Sequence, residues 1–194
     1  MDRTSSNYTD QDLISLCLKG QELGYSMLYE RYSKSVFNSI CRLLNYELEE
    51  AKDVLQEVFV SVFSNIKLLN EVSSVEAWLK RIAINRSISH LRKKQKHQLI
   101  SLEQIQVEEV ERATEEDISW HHFQLQELET AIQRLPEESR MIVQLFVFED
   151  LRHEEIGKIL GLNHSSVRVK YHRAKLRLAE ELRTKLGMSK ASQA

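Results

Sequence analysis

The sequence predicts an all-α protein of two small helical domains joined by an acidic flexible linker, the second a helix-turn-helix domain. Three observations carry this. Apolar residues follow helical spacing almost everywhere, no segment sustains the alternation of a half-buried strand, and one Pro and five Gly in 194 residues leave few breaks. Charge is segregated behind a near-neutral total of −2: residues 81–96 hold six Lys or Arg and no acid, residues 164–178 hold five and no acid, and residues 98–121 hold seven acids against Arg112 alone. The acidic stretch has scattered Ile and Val but no sustained period, so it separates a first domain over 8–97 from a second over 122–186 as a flexible tether.

In the first domain, helices are expected near 10–19 and 22–44, where Cys17 and Cys41 stand beside Leu or Ile at helical spacing. A third is expected near 47–66. Within it Ala51, Val54, Leu55, Val58, Phe59, Val62, Phe63 and Ile66 form an unbroken core stripe. Asp53, Gln56 and Glu57 stand at i, i+3 and i+4 on the opposite face. From periodicity alone, that face reads first as an ordinary solvated surface and only second as a compact acidic and amide contact patch.

The fourth helix, near 75–96, has no single stripe. Trp78, Leu79 and Ile82 lie on one side and Ile84, Ile88 and Leu91 on another, which suggests two packing neighbours. Arg81, Asn85, Ser89, Arg92 and Lys96 fall within about 80° of one another on the remaining face. Such a line can track a phosphate backbone, with Asn and Arg able to reach base edges, or it can be a solvated basic face. The helix starts beside a loop at Asn70, Glu71, Val72, Ser73 and Ser74, and a loop edge can receive an unstacked base.

Helices near 122–134 and 137–148 open the second domain, followed by a helix-turn-helix over 153–160 and 164–184. Ile156, Ile159 and Leu160 bury its first helix, Gly161 supplies the tight turn, and Asn163 is a good N-cap for the next. With Val167, Tyr171, Ala174 and Leu178 packed inward, Ser165, Arg168, Val169, His172 and Arg173 point outward, and Ser166 lies in the same first turn. The uninterrupted positive charge makes this the expected groove-reading surface, although any α-hairpin needs similar apolar spacing.

Other chemistry is not expected. The N-terminus, MDRTSSNYTD, lacks the apolar core of a signal peptide, and no apolar run approaches the roughly 18 residues of a membrane span, so a cytoplasmic protein is expected. Cys17 and Cys41 read as buried reduced thiols. His121 and His122 point about 100° apart on a helix, as an ordinary surface pair does. With no metal-ligand cluster, phosphate-cradling Gly loop or nucleophile with a base, we expect no enzyme, metal, cofactor or small-molecule substrate.

With these surfaces placed, the chain closely resembles the extracytoplasmic-function sigma factors, the compact two-domain branch of the bacterial sigma family. The similarity covers roughly residues 13–96 and 135–182. The Gly20 neighbourhood followed by Leu28, Tyr29, Glu30, Arg31 and Tyr32 looks like the family's opening helices. DVLQEVF, residues 53–59, matches the family's DxxQEVF motif, which implies that Asp53, Gln56 and Glu57 dock on the clamp helices of RNA polymerase. AWLKRIAINRSISHLRK, residues 77–93, resembles the segment that melts and reads the minus-10 promoter element, implying roles for Asn70, Ser73, Ser74 and the Arg81, Asn85, Ser89, Arg92, Lys96 line.

Residues 135–178 are similar to the minus-35-binding domain, implying promoter contacts from Ser165, Ser166, Arg168, Val169, His172 and Arg173. Three positions depart from the family's pattern. Ser89 stands where Asp is common, Arg152 where a capping Ser is frequent, and Val169 where a small polar residue is usual. The resemblance implies core RNA polymerase and promoter DNA as partners, and an anti-sigma factor as a further one. The alternative reading is an autonomous helix-turn-helix transcriptional regulator.

Overall fold

The computed structural model describes residues 8–100 and 120–185, and every regular element among them is helical, as the all-α expectation requires. Helices α1 (Asp10–Leu18), α2 (Glu22–Leu43), α3 (Leu48–Ser64) and α4 (Val75–Ile100) precede α5 (Trp120–Gln133), α6 (Glu137–Val147), α7 (His153–Leu160) and α8 (His164–Lys185). A 3-10 helix, Ile66–Glu71, lies between α3 and α4. The chain divides into two compact units, the break falling after Ile100. Of the expected linker, residues 98–100 end α4 and 120–121 begin α5, while 101–119 lie outside the described residues, as does Leu186 at the end of the expected second domain.

In the first unit, Thr9 caps α1 reciprocally. Its Oγ1 accepts the Asp12 N–H at 3.2 Å, and the Asp12 carboxylate accepts the Thr9 N–H at 2.9 Å. One turn of α1 is then fastened to α2, because Asp10 accepts from Arg31 Nη1 and from the Tyr32 hydroxyl, both at 2.6 Å. Burial, and then Asp10, push the Tyr32 hydroxyl well above the usual tyrosine range. Close approach of the two helices depends on Gly24, where a Cβ would stand 2.7 Å from both Cys17 N and Leu16 Cβ.

Leu13 of α1, Val36 and Ile40 of α2, Ala51 and Val58 of α3 and Ala83 of α4 are fully buried in one core. Cys17 and Cys41 are free and buried within it, and burial pushes the Cys17 thiol up to about 11. The stripe expected on α3 is in this core, yet α3 stops two residues before Ile66. The Ser64 hydroxyl donates back to Val60 O at 2.8 Å and the Asn65 amide to Ser61 O at 2.9 Å, and Asn65 leaves helical geometry at φ −122°. In the 3-10 helix that follows, Ile66 and Leu69 eclipse at i and i+3 and both enter the core.

The second unit packs Ala131, Ile132, Leu135, Val143, Ala174 and Leu178 from α5, α6, α8 and the α5–α6 turn. An aromatic knot ties α6, α7 and α8: the Phe146 ring lies 4.8 Å from His153 and 4.5 Å from Tyr171, which is 5.2 Å from His153. Gly161, at φ +72°, ends α7 so that the Leu162 N–H returns to Gly157 O at 2.9 Å. Asn163 caps α8, its Oδ1 accepting the Ser166 N–H at 2.7 Å. At the start of α7, Arg152 has no side-chain acceptor, so half a capping box remains: the Glu155 carboxylate accepts the Arg152 N–H at 3.0 Å.

Candidate functional site

Three exposed surfaces carry the candidate residues, two on the first unit and one on the second. On α3, Asp53, Gln56 and Glu57 are all exposed on the side away from the buried Ala51, Val54, Val58 and Val62. Sequence reasoning missed a fourth member. Val60, 59% exposed, shares their face and lines with them an open cavity of about 390 Å³. The signal was available, since Val60 lies outside the apolar stripe while the polar residues around it do not explain an exposed valine. A neighbouring hollow of about 360 Å³ runs from Val60 over Leu55, Phe59 and Phe63 to Tyr29 of α2, whose ring is 4.7 Å from Phe59. An apolar floor rimmed by two carboxylates and an amide suits a basic amphipathic partner surface.

The basic helix α4 divides its cations between two faces. Glu50 of α3 meets His90 Nε2 at 2.9 Å and Lys94 Nζ at 2.6 Å, and Glu57 meets Arg86 Nη1 at 3.6 Å. Contacts that rise along α3 as they fall along α4 make the pair antiparallel, with Arg86, His90 and Lys94 on the α3-facing line. Burial acts to raise the Glu50 pKa, but its bonds and charges with Lys94 and His90 together outweigh that and hold it below the usual carboxylate range.

What α4 turns to solvent is the other line. Arg81, Asn85, Ser89, Arg92 and Lys96 are all exposed, while Ala83, Ile84, Ser87 and Ile88 are buried and Ile82 and Leu91 half-buried. Trp78 is half-buried against the core.

Before α4, the expected loop is shorter than the sequence suggested, because Asn70 and Glu71 belong to the 3-10 helix. Asn70, Ser73 and Ser74 are exposed. Ser74 also starts α4, its Oγ accepting the Ala77 N–H at 3.3 Å. The Asn70 Oδ1 accepts from Gln11 Nε2 of α1 at 3.2 Å.

On α8, Val167, Ala174 and Leu178 are buried and Tyr171 is half-buried. Ser165, Arg168, Val169, His172 and Arg173 are exposed, and Ser166 is half-buried. One cation of this segment faces inward instead. Lys170 pairs with Glu138 of α6, which helps fix the roll of α8. Lys185–Glu127 at 2.6 Å binds α8 to α5, and Arg134–Glu181 at 2.7 Å binds it to the turn just after α5. His153, beneath the start of α8, is held below its ordinary pKa by burial, and then by His164 and Arg168. Among the described residues no group of three or more His, Cys, Asp or Glu is placed to hold a metal, and no helix is long and apolar enough to cross a membrane.

Two family models match these units in chain order. Sigma-70 region 2 matches residues 28–97 and Sigma-70, region 4, matches residues 125–178, together more than half of the chain. The chain is 26% identical to the RNA polymerase sigma-H factor of Pseudomonas aeruginosa over 86% of its own length and 90% of that protein's. It is 27% identical to the ECF RNA polymerase sigma-E factor of Escherichia coli, over 88% and 93% respectively. Against the ECF RNA polymerase sigma factor SigW of Bacillus subtilis it is 25% identical, over 85% and 92%.

Two solved structures share the fold at lower identity. One is the sigma factor RpoE in complex with the anti-sigma factor NepR from Bartonella quintana, at 19% identity and TM-score 0.60, covering 82% of this chain and 96% of that one. The other is CnrH in complex with the cytosolic domain of CnrY, at 18% and 0.51, covering 90% and 97%. With both sigma-70 regions present in order, and relatives aligned over nearly their whole length, the chain belongs to the sigma-70 family, in its extracytoplasmic-function branch.

Proposed function

We propose that this chain is an alternative sigma factor that binds core RNA polymerase and directs promoter-specific transcription initiation. The observation that carries the reading is that three exposed patches, on α3, α4 and α8, fall within the two matched sigma-70 regions. Residues 8–97 act as region 2, residues 98–121 as the linker and residues 122–186 as region 4. Asp53, Gln56 and Glu57 dock on polymerase, with Val60 as the apolar centre of that contact. Asn70, Ser73 and Ser74 receive unstacked bases of the minus-10 element, and Arg81, Asn85, Ser89, Arg92 and Lys96 follow the strand beside them. The α8 face of Ser165, Ser166, Arg168, Val169, His172 and Arg173 reads the minus-35 duplex from the major groove, where the exposed Val169 suits a thymine methyl group.

Magnitudes explain why two readers share one chain. Sequence-independent phosphate binding of this kind reaches only about 10⁻⁴ to 10⁻⁶ M, and extracting a base costs a few kcal/mol, so one small domain holds promoter DNA poorly. Attachment to polymerase makes the second contact intramolecular and raises its effective concentration to roughly millimolar. The chain works by binding, in the cytoplasm where polymerase acts, with no catalytic group of its own. One structural neighbour, RpoE of Bartonella quintana, was solved with the anti-sigma factor NepR, and a partner of that kind fits this chain too.

Run-off transcription tests the reading. The purified chain is expected to shift promoter DNA weakly and to initiate specific transcripts when core polymerase is added. Tight, specific binding to duplex DNA without polymerase, together with no transcription in its presence, would instead identify an autonomous helix-turn-helix regulator.

A further inference from the structure

We propose that Gln11, on the first turn of α1, is a positioning residue for Asn70, so that one base of the minus-10 element is read by a fixed amide rather than by a free surface side chain. This rests on the reading of Asn70 as a base contact. Gln11 and Asn70 are 59 residues apart in sequence, and the Gln11 Nε2 donates to the Asn70 Oδ1 at 3.2 Å. With that oxygen engaged toward α1, the Asn70 amide still has its two N–H groups to offer a base.

A partner can hold Asn70 only from a backbone that is itself held, and the backbone of Gln11 is. It lies between two anchored residues. Asp12 closes the reciprocal cap with Thr9, and Asp10 is held by Arg31 Nη1 and the Tyr32 hydroxyl of α2, both at 2.6 Å. On the other side, Leu69 is buried, so the backbone entering Asn70 is pinned to the core. The side chain of Asn70 is then held from α1 and its backbone from beneath, which lowers the ordering cost on capturing a base. Nothing in the sequence links positions 11 and 70; the packing of α1 against the 3-10 helix brings them together.

The test is run-off transcription with core polymerase over a promoter library randomised through the minus-10 element, using the full chain and Asn70→Ala, Gln11→Met and the double variant. Gln11→Met keeps the length of the side chain and removes its amide, at an exposed position where the fold should tolerate it. Asn70→Ala is expected to flatten base preference at one promoter position. Gln11→Met should weaken preference at that same position by about 2- to 5-fold, the scale of one exposed neutral hydrogen bond.

The double variant should match Asn70→Ala alone, and the melting temperature of Gln11→Met should stay within a few degrees of the parent's, as loss of one exposed hydrogen bond allows. A Gln11→Met profile identical to the parent's, alongside a flattened Asn70→Ala profile, overturns the proposal while leaving the sigma-factor reading in place. An equal loss over all promoters with no change at one position overturns it as well, since that is a general structural effect. An unchanged Asn70→Ala profile removes the base contact and the proposal with it. Absence of any transcript from the parent chain removes the functional reading too.

Discussion

Glu57 and Arg86 face each other across α3 and α4, with Oε2 and Nη1 3.6 Å apart. The pair links the surface proposed for polymerase to the helix proposed for the minus-10 strand. Its two side chains are 60% and 46% exposed, so screening leaves it about 0–1 kcal/mol of stability at most.

Charge reversal on α3 therefore separates binding from folding. Changing Gln56 and Glu57 together to Lys should lower the affinity for core polymerase by at least about tenfold, the scale of one or two buried polar contacts at an interface. The melting temperature should move by no more than a few degrees, as surface substitutions usually allow. Competition against a labelled parent chain for core polymerase, with a thermal melt alongside, reads both. Equal competition by the variant would leave α3 without a role in docking.

Close packing of α1 on α2 predicts a different kind of loss. Gly24→Ala places a Cβ 2.7 Å from Cys17 N and Leu16 Cβ, and one of those neighbours is backbone that cannot rotate away. A cost of about 1–3 kcal/mol is expected from such overpacking. Urea unfolding should show a lower midpoint than for the parent, whereas Ser26→Ala, at an exposed position of the same helix, should not.

The helices were legible because their apolar period is the physical cause of their burial: Ala51, Val54, Val58 and Val62 repeat as a stripe and are buried as one. The 3-10 helix was not, because Ile66 continues the α-helical spacing, and only the back-bonding of Ser64 and Asn65 shows where α3 stops. Cation counts over residues 81–96 and 164–178 marked the right helices but overstated their outward charge. Glu50 neutralises Lys94 from 44 residues away and Glu138 takes Lys170 from 32, pairings that charge runs do not reveal. The Gln11–Asn70 contact was hidden for the same reason.

His153 makes the stability of the second unit depend on pH. Its pKa in the fold lies below the ordinary 6.5, through burial first and then the charges of His164 and Arg168. The fold thus favours the neutral ring. This contribution is fully present above about pH 6.5 and is lost as pH falls from there through the lower folded value. His153→Phe keeps a ring against Phe146 and Tyr171 but cannot take the proton. Between pH 8 and pH 5.5 the parent's melting temperature should fall more steeply than the variant's. Parallel curves would show that His153 titrates alike in both states.

The cations of α8 should differ in what they do to DNA binding. Arg168 and Arg173 are exposed on the outer face, so each is available to a phosphate or a base, whereas Lys170 is held by Glu138 of α6. Arg168→Ala and Arg173→Ala should each weaken duplex promoter binding by the full chain and reduce the slope of log affinity against log salt by about 1. Lys170→Ala should leave that slope near the parent's and move the melting temperature by no more than a few degrees, since both side chains of the Lys170–Glu138 pair are more than a third exposed. Fluorescence anisotropy with labelled minus-35 duplex across a salt series distinguishes the two. If Lys170→Ala changed the slope as much as Arg173→Ala, Lys170 would have to leave Glu138 for the phosphate backbone, and the groove-facing side of α8 would be wider than its exposed residues define.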